Sequence, residues 1–165
     1  MESVGISVDS PQKRVMDTVF QGANELSLDA KGRLAVPTKL RDGLLSSPDR
    51  KLVLTAHPDR CLLLYPAHAW APKRDQVMAW ASFDPQQALW RRLLIGHAEE
   101  LELDSAGRFL IPPALRKYAG IDRQVMMIGQ GAYFEIWNLS AWEAQISQMD
   151  AGPRGLPPGL ENFSL

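Results

Sequence analysis

The chain contains the same segment twice. Ala23 to Arg41, ANELSLDAKGRLAVPTKLR, aligns without a gap on Ala98 to Arg116, AEELELDSAGRFLIPPALR, at a constant offset of 75 residues, with ten of nineteen positions identical. A looser correspondence continues from Leu52 to Trp70 (LVLTAHPDRCLLLYPAHAW) and from Val125 to Trp142 (VMMIGQGAYFEIWNLSAW), across a one-residue gap. A tandem duplication restricts the fold before any single motif does, because whatever one copy forms the other must form too. Each copy is too small to cover a sheet face by itself. The two are therefore expected to share one core about a pseudo-twofold axis, with strands of one copy pairing with strands of the other.

Within a copy the pattern reads β-turn-β-α-β-β-α. Leu26 and Leu28, like Leu101 and Leu103, alternate with polar residues and lead into Asp29 and Asp104, as half-buried strands do. Gly32 and Gly107 mark the turn. Leu34-Ala35-Val36 and Phe109-Leu110-Ile111 are short apolar strands, ended by Pro37 and Pro112, which lack the ladder N–H and suit the start of a helix. Short helices are predicted through Leu44 and Tyr118, closed by Gly43 and Gly120. Hairpins follow, Leu52 to Thr55 with Cys61 to Tyr65 across Pro58-Asp59, and Gln124 to Ile128 with Tyr133 to Trp137 across Gly129-Gln130-Gly131. A capping box at Ser140-Ala141-Trp142-Glu143 is predicted to open the last helix. Asp84-Pro85 opens another between the copies, over Gln86 to Leu94.

The fold class expected is thus α+β, mainly β. The organisation expected is a disordered extension over 1–16, a first module over 17–82, a linker helix over 83–97, a second module over 98–149 and a mobile tail over 150–165. The tail is read from its breakers, Gly152, Pro153, Gly155, Pro157, Pro158 and Gly159. The apolar alternation begins only after Met16, which marks either a start or the first ordered residue.

Charge enters here as a constraint on partners. The 165 residues carry 18 Lys and Arg against 19 Asp and Glu, so sequence-independent coating of DNA is not expected. No apolar run approaches the roughly 18 residues of a membrane span, and the chain reads as cytosolic. With one cysteine, Cys61, neither an internal disulfide nor a CxxC zinc pair can form, and Cys61, inside an apolar run, reads as a small buried hydrophobe. His57, His68 and His97 show no metal-binding spacing and read as surface or capping residues. No nucleophile elbow, P-loop or dinucleotide fingerprint occurs. No enzyme activity, cofactor, metal or small-molecule substrate is therefore expected.

What remains is the duplicated D-x-x-G-R turn. Asp at a strand end can accept turn N–H groups, Gly permits positive φ, and Arg leaves the turn into the next strand. The turns are either structural, or they present a planar guanidinium to phosphate or to guanine in a major groove. The copies differ in charge. Asp29-Ala30-Lys31-Gly32-Arg33, with Lys39 and Arg41 beyond it, places four cations between positions 31 and 41; in Asp104-Ser105-Ala106-Gly107-Arg108 the turn has one. If DNA is bound, the first copy is the stronger reader.

Phe20-Gln21-Gly22 leading to Leu28-Asp29-Ala30-Lys31-Gly32-Arg33-Leu34-Ala35-Val36-Pro37, with its second copy Leu103 to Pro112, closely resembles the MraZ family of bacterial transcriptional regulators. Each copy also resembles a swapped-hairpin module of the AbrB/SpoVT kind. The resemblance spans about Asp17 to Met149. It implies a cytoplasmic, nucleoid-associated repressor of the division and cell-wall gene cluster that includes its own gene. It also implies ring-shaped homo-oligomers reading short direct repeats in double-stranded promoter DNA. By position, Asp29, Lys31, Gly32 and Arg33 match the family's DNA-binding turn, and Lys39 and Arg41, the cations just beyond it, are read with them as DNA-binding. Asp104, Gly107 and Arg108 are the second-copy equivalents and the weaker set. A different reading makes the turns structural and the chain an oligomeric partner-binding module, with Trp70, Trp80, Trp90, Trp137 and Trp142 at the interface.

Overall fold

A computed structural model describes residues 18–81, 83–152 and 155–165. Among them eight strands and five helices follow the order read from the repeat. The first copy contributes β1 (Ala23–Ser27), β2 (Arg33–Ala35), α1 (Thr38–Leu44), β3 (Leu52–Ala56), β4 (Leu62–Pro66) and α2 (Ala67–Met78). A helix α3 (Pro85–Leu94) follows. The second copy repeats the series with β5 (Glu99–Leu101), β6 (Arg108–Leu110), α4 (Pro113–Tyr118), β7 (Gln124–Gly129), β8 (Phe134–Asn138) and α5 (Leu139–Ala151).

The copies interleave. In the six-stranded antiparallel sheet the order is β1-β7-β8-β4-β3-β5. At its centre the two hairpins lie side by side, Leu62 opposite Ile136 and Leu64 opposite Phe134. The outer strand of each hairpin receives the first strand of the other copy: β1 pairs with β7 from Ala23↔Ile128 to Ser27↔Gln124, and β5 pairs with β3. A separate ribbon joins β2 to β6, with Leu34 opposite Phe109. Among the described residues, apart from its own hairpin, every strand pairing a copy makes is with the other copy. The duplication with shared pairing predicted from the sequence is the architecture observed.

Period-2 alternation decides what each face buries. On the inner face Leu52, Leu54, Leu62, Leu64, Val125, Met127, Phe134 and Ile136 pack against Leu34, Val36, Phe109 and Ile111 of the ribbon and Leu44 and Leu115 of the short helices. On the outer face Val53, Leu63, Tyr65 and Trp70 form one cluster, with Leu94 and Ile95 packed on it. Cys61, Ile128 and Trp137 form another beside Trp142. Both faces of the central strands are covered, which is why β3 and β4 are buried at every position. Cys61 is wholly buried, and burial raises its thiol well above the ordinary value.

Two local expectations are corrected. The cap of α5 is Asn138, whose side chain accepts from the Ala141 amide at 3.0 Å, so Ser140 lies inside the helix. The strand β8 ends at Asn138, and the helix starts as soon as a capping side chain is available, two residues before the motif. Gly43 likewise sits within α1 rather than at its end, packed against Phe20, while Gly120, at φ 61°, follows the cap of α4 as predicted. Asp84 caps α3 through the Gln87 amide with Pro85 at the first position, as predicted. The helix α5 reaches Ala151, entering the segment read as tail from 150, and residues 155–165 form neither helix nor strand. The extension expected over 1–16 lies outside the described residues. No helix among those described is long and apolar enough to cross a membrane.

Shared pairing predicts one cooperative unfolding event. In urea, tryptophan fluorescence and far-UV circular dichroism should trace one coincident transition, and two resolved transitions would contradict a common core. Replacing fully buried Phe134 by Ala should lower stability by about 3–5 kcal/mol, read from the midpoint at unchanged slope.

Candidate nucleic-acid interface

The two D-x-x-G-R turns have the same internal wiring. Asp29 Oδ1 accepts the amides of Lys31 and Arg33, both at 2.9 Å, and Asp29 Oδ2 accepts Arg33 Nε at 2.7 Å. Backbone bonds close the loop, Gly32 N–H to Asp29 O at 3.0 Å and Asp29 N–H to Arg33 O at 2.9 Å. Gly32, at φ 82°, supplies the left-handed residue the turn requires. In the second copy Asp104 accepts Ala106 N–H and Arg108 N–H at 2.9 Å and Arg108 Nε at 3.0 Å, with Gly107 at φ 75°. The Arg33 amide, helped by its guanidinium and the Lys31 amide, holds the Asp29 carboxyl down at about 2. The Arg108 amide leads the same lowering at Asp104.

Each aspartate uses one guanidinium N–H, so Arg33 and Arg108 keep four of their five donors. The ribbon then sets where they stand. Because Leu34 and Phe109 point into the core, Arg33, Ala35, Arg108 and Leu110 belong to the opposite, outward face of β2 and β6. Arg33 pairs with Leu110 and Ala35 with Arg108, so the turns project from opposite ends of one ribbon, and the two arginines share its outer face.

Each turn is backed by the other copy. The Arg116 guanidinium lies where a Cβ on Gly32 would go, and the Arg41 guanidinium lies where a Cβ on Gly107 would go. Cross-copy amide bonds reinforce both contacts, Val36 N–H to Gly107 O at 2.9 Å and Ile111 N–H to Gly32 O at 3.1 Å. Arg41 Nε also donates to Val36 O at 2.9 Å. Of the residues singled out in the sequence, Asp29, Lys31, Gly32 and Arg33 come together in one turn, with Asp29 and Lys31 exposed, Arg33 half-buried and Gly32 buried. Lys39 is exposed on α1, and Arg41 faces the second-copy turn rather than Arg33. Arg116 was not singled out as a site residue, although its signal was present, since Arg41 and Arg116 are an identical pair in the repeat.

The surroundings of the turns differ in charge. Lys31 is exposed in the first turn, where the second has Ala106. A hollow of about 540 Å³ beside the second turn gathers Asp42, Asp49, Glu102 and Asp104 against only Arg41 and Arg50. The hollow beside the second turn is thus lined by more acidic than basic side chains. The histidines take local roles: His68 bonds Ser47 Oγ and His97 bonds Leu93 O. Elsewhere among the described residues, His57, Cys61 and Glu135 place potential metal donors together. Spacing gave no warning of them, because Glu135 comes from the other copy. Trp70 and Trp137 are core, whereas Trp90 is 44% exposed on α3.

The sequence matches the MraZ protein family, described as antitoxin-like, over residues 19–92 and 94–154. A curated relative from Methylobacillus flagellatus, named transcriptional regulator MraZ, is 55% identical over 148 residues, 89% of this chain and the whole of that protein. Relatives of the same name from Aromatoleum aromaticum and Dechloromonas aromatica are 50% and 49% identical, each across 89% of this chain and its own full length.

The depressed carboxyl of Asp29 fixes a pH response. Its bonds stabilise the turn above the ordinary carboxylate value of 3.8 and are lost as pH falls toward about 2. A side-chain NMR titration should place the Asp29 midpoint near 2, and an unshifted midpoint would contradict the wiring described. Gly32→Ala should cost about 1–3 kcal/mol, combining left-handed strain with crowding of Arg116. In an Arg116→Ala background only the strain part should remain, as a double-mutant cycle would show.

Proposed function

The chain belongs to the MraZ family, and on that premise we propose that it is a sequence-specific DNA-binding transcriptional regulator whose first-copy turn reads DNA. The observation that carries this reading is the Asp29-held Arg33 next to exposed Lys31, on the outward face of a ribbon set rigidly into the core. Such a guanidinium loses little freedom on contacting guanine O6/N7 or phosphate, and it is planar and always charged. Lys31 adds an electrostatic contact to the backbone. Arg108, with no lysine in its turn and an acidic hollow beside it, is the lesser contributor.

At a net charge of −1 one subunit has little general affinity for DNA, since that affinity grows with the number of phosphates neutralised. We infer that subunits assemble, as a ring, and align their turns on short direct repeats of a promoter. Linked weak contacts then gain on the order of 10²–10⁴ by effective concentration. Leu89 and Trp90, exposed on α3, supply apolar surface that a neighbouring subunit would cover. The resemblance noted above extends the proposal to repression of the division and cell-wall gene cluster containing the protein's own gene, in the cytoplasm and at the nucleoid.

Titrating the upstream region of that gene in a gel shift at several salt concentrations tests the reading. Arg33→Ala should weaken binding by about 1–3 kcal/mol and relax sequence preference. Lys31→Ala should reduce the salt slope by about one without changing preference. Arg108→Ala should have a smaller effect than Arg33→Ala. Unchanged affinity and preference in Arg33→Ala would remove that residue from the interface, and a strict monomer in light scattering would exclude the ring.

A further inference from the structure

We propose that His57, Cys61 and Glu135 form a binding site for zinc or a zinc-like divalent cation, tying the hairpin of the first copy to that of the second. One donor atom from each residue lies within 4.8 Å of the other two. The pleat explains why they meet. His57 N–H bonds Cys61 O at 2.9 Å across the β3–β4 turn, which sets the two side chains on one face. Glu135 of β8 stands opposite Leu63, two residues beyond Cys61 and therefore on the same face. Cys61 Sγ and Glu135 Oε2 are 3.8 Å apart. Tetrahedral zinc, with bonds of about 2.0–2.3 Å, holds its donors about 3.3–3.8 Å apart, so side-chain adjustments of about an ångström suffice. A nitrogen, sulfur and oxygen set suits zinc and disfavours magnesium and calcium, which take oxygen.

Glu135 gives an independent pointer. It is half-buried, yet among the described residues no lysine or arginine pairs with it. Its recorded contacts are the Cys61 thiol at 3.8 Å and Trp137 Nε1 at 3.3 Å, both weak. A half-buried carboxylate without a cationic partner among the described residues is one that a bound cation would satisfy. His57 Nδ1 accepts the Asp59 amide at 3.0 Å and lies 3.8 Å from Asp59 Oδ2. Coordination through Nε2 moves the ring proton to Nδ1, which gives up the bond from the Asp59 amide and leaves the Asp59 carboxylate as the acceptor. His57 also lines an open groove of about 700 Å³ with Leu63, Tyr65 and Tyr133, which gives solvent access to that side of the cluster, and a water would complete the four ligands. The Cys61 thiol proton leaves to solvent as the sulfur–metal bond forms.

This site is independent of the DNA reading, and its test does not use DNA. Full-length protein is dialysed against Zn²⁺, and bound metal is counted by mass spectrometry. Cobalt(II) is then substituted and its spectrum recorded. One zinc per chain is expected, with a thiolate-to-cobalt charge-transfer band and a melting temperature that rises with Zn²⁺ but not Mg²⁺. Glu135→Gln, nearly isosteric, should weaken zinc by about tenfold or more with unchanged circular dichroism, and Cys61→Ala should abolish the charge-transfer band. If Cys61→Ala fails to fold, Glu135→Gln and the cobalt spectrum decide. Absence of the band in the parent protein, or wild-type zinc affinity in Glu135→Gln, would overturn the site.

Discussion

A β-hairpin alone leaves two unpaired edges and an apolar face exposed to water, and it is marginally stable at best. Among the described residues each copy makes one hairpin. Stability comes from exchange: β1 caps the second hairpin, β5 caps the first, and the hairpins meet along β4 and β8. The exchange also places Leu34 and Val36 of one copy beside Phe109 and Ile111 of the other, under the same sheet. Remove the pairing between copies and neither the sheet nor the core exists. Everything else in the molecule is positioned by that mutual dependence.

The same exchange also sets the conformation of the turns. An exposed loop bearing a free arginine would lose conformational entropy on every contact. Here the aspartate carboxylate restrains backbone and guanidinium together, and the arginine of the opposite copy packs on the turn glycine from behind. Arg41 and Arg33 are thus both cationic and only eight positions apart in the chain, yet they have different surroundings. Arg33 stands on the outward face of the ribbon, and Arg41 supports Gly107. The copies remain alike in framework and unlike in charge, so one duplicated scaffold holds a turn with an exposed lysine and another beside an acidic hollow.

Much of this was legible in the residues, for identifiable reasons. Gly32, Gly107, Pro37 and Pro112 act through their own backbone restrictions, and the Asp29 and Asp104 bonds span at most four residues, so local spacing revealed both turns. The misplaced cap at Ser140 shows the limit of motif reading. A capping box competes with any earlier capping residue, and the end of β8 at Asn138 settled that competition. Gly43 was read as a helix stop, but Phe20 fills the space beside it and the helix continues past it.

By itself, then, the sequence determined the duplication, the strand and turn order of each copy, and the difference in turn charge, because each of these depends on neighbours within a few residues or on comparison of the two copies. Only the tertiary structure decided that Arg116 backs Gly32, that Arg41 is drawn toward the second turn, and that His57 and Cys61 meet Glu135. Those contacts join residues 66 to 84 positions apart. They are set by the register of strands crossing between copies, where a shift of one residue would turn every side chain to the other face.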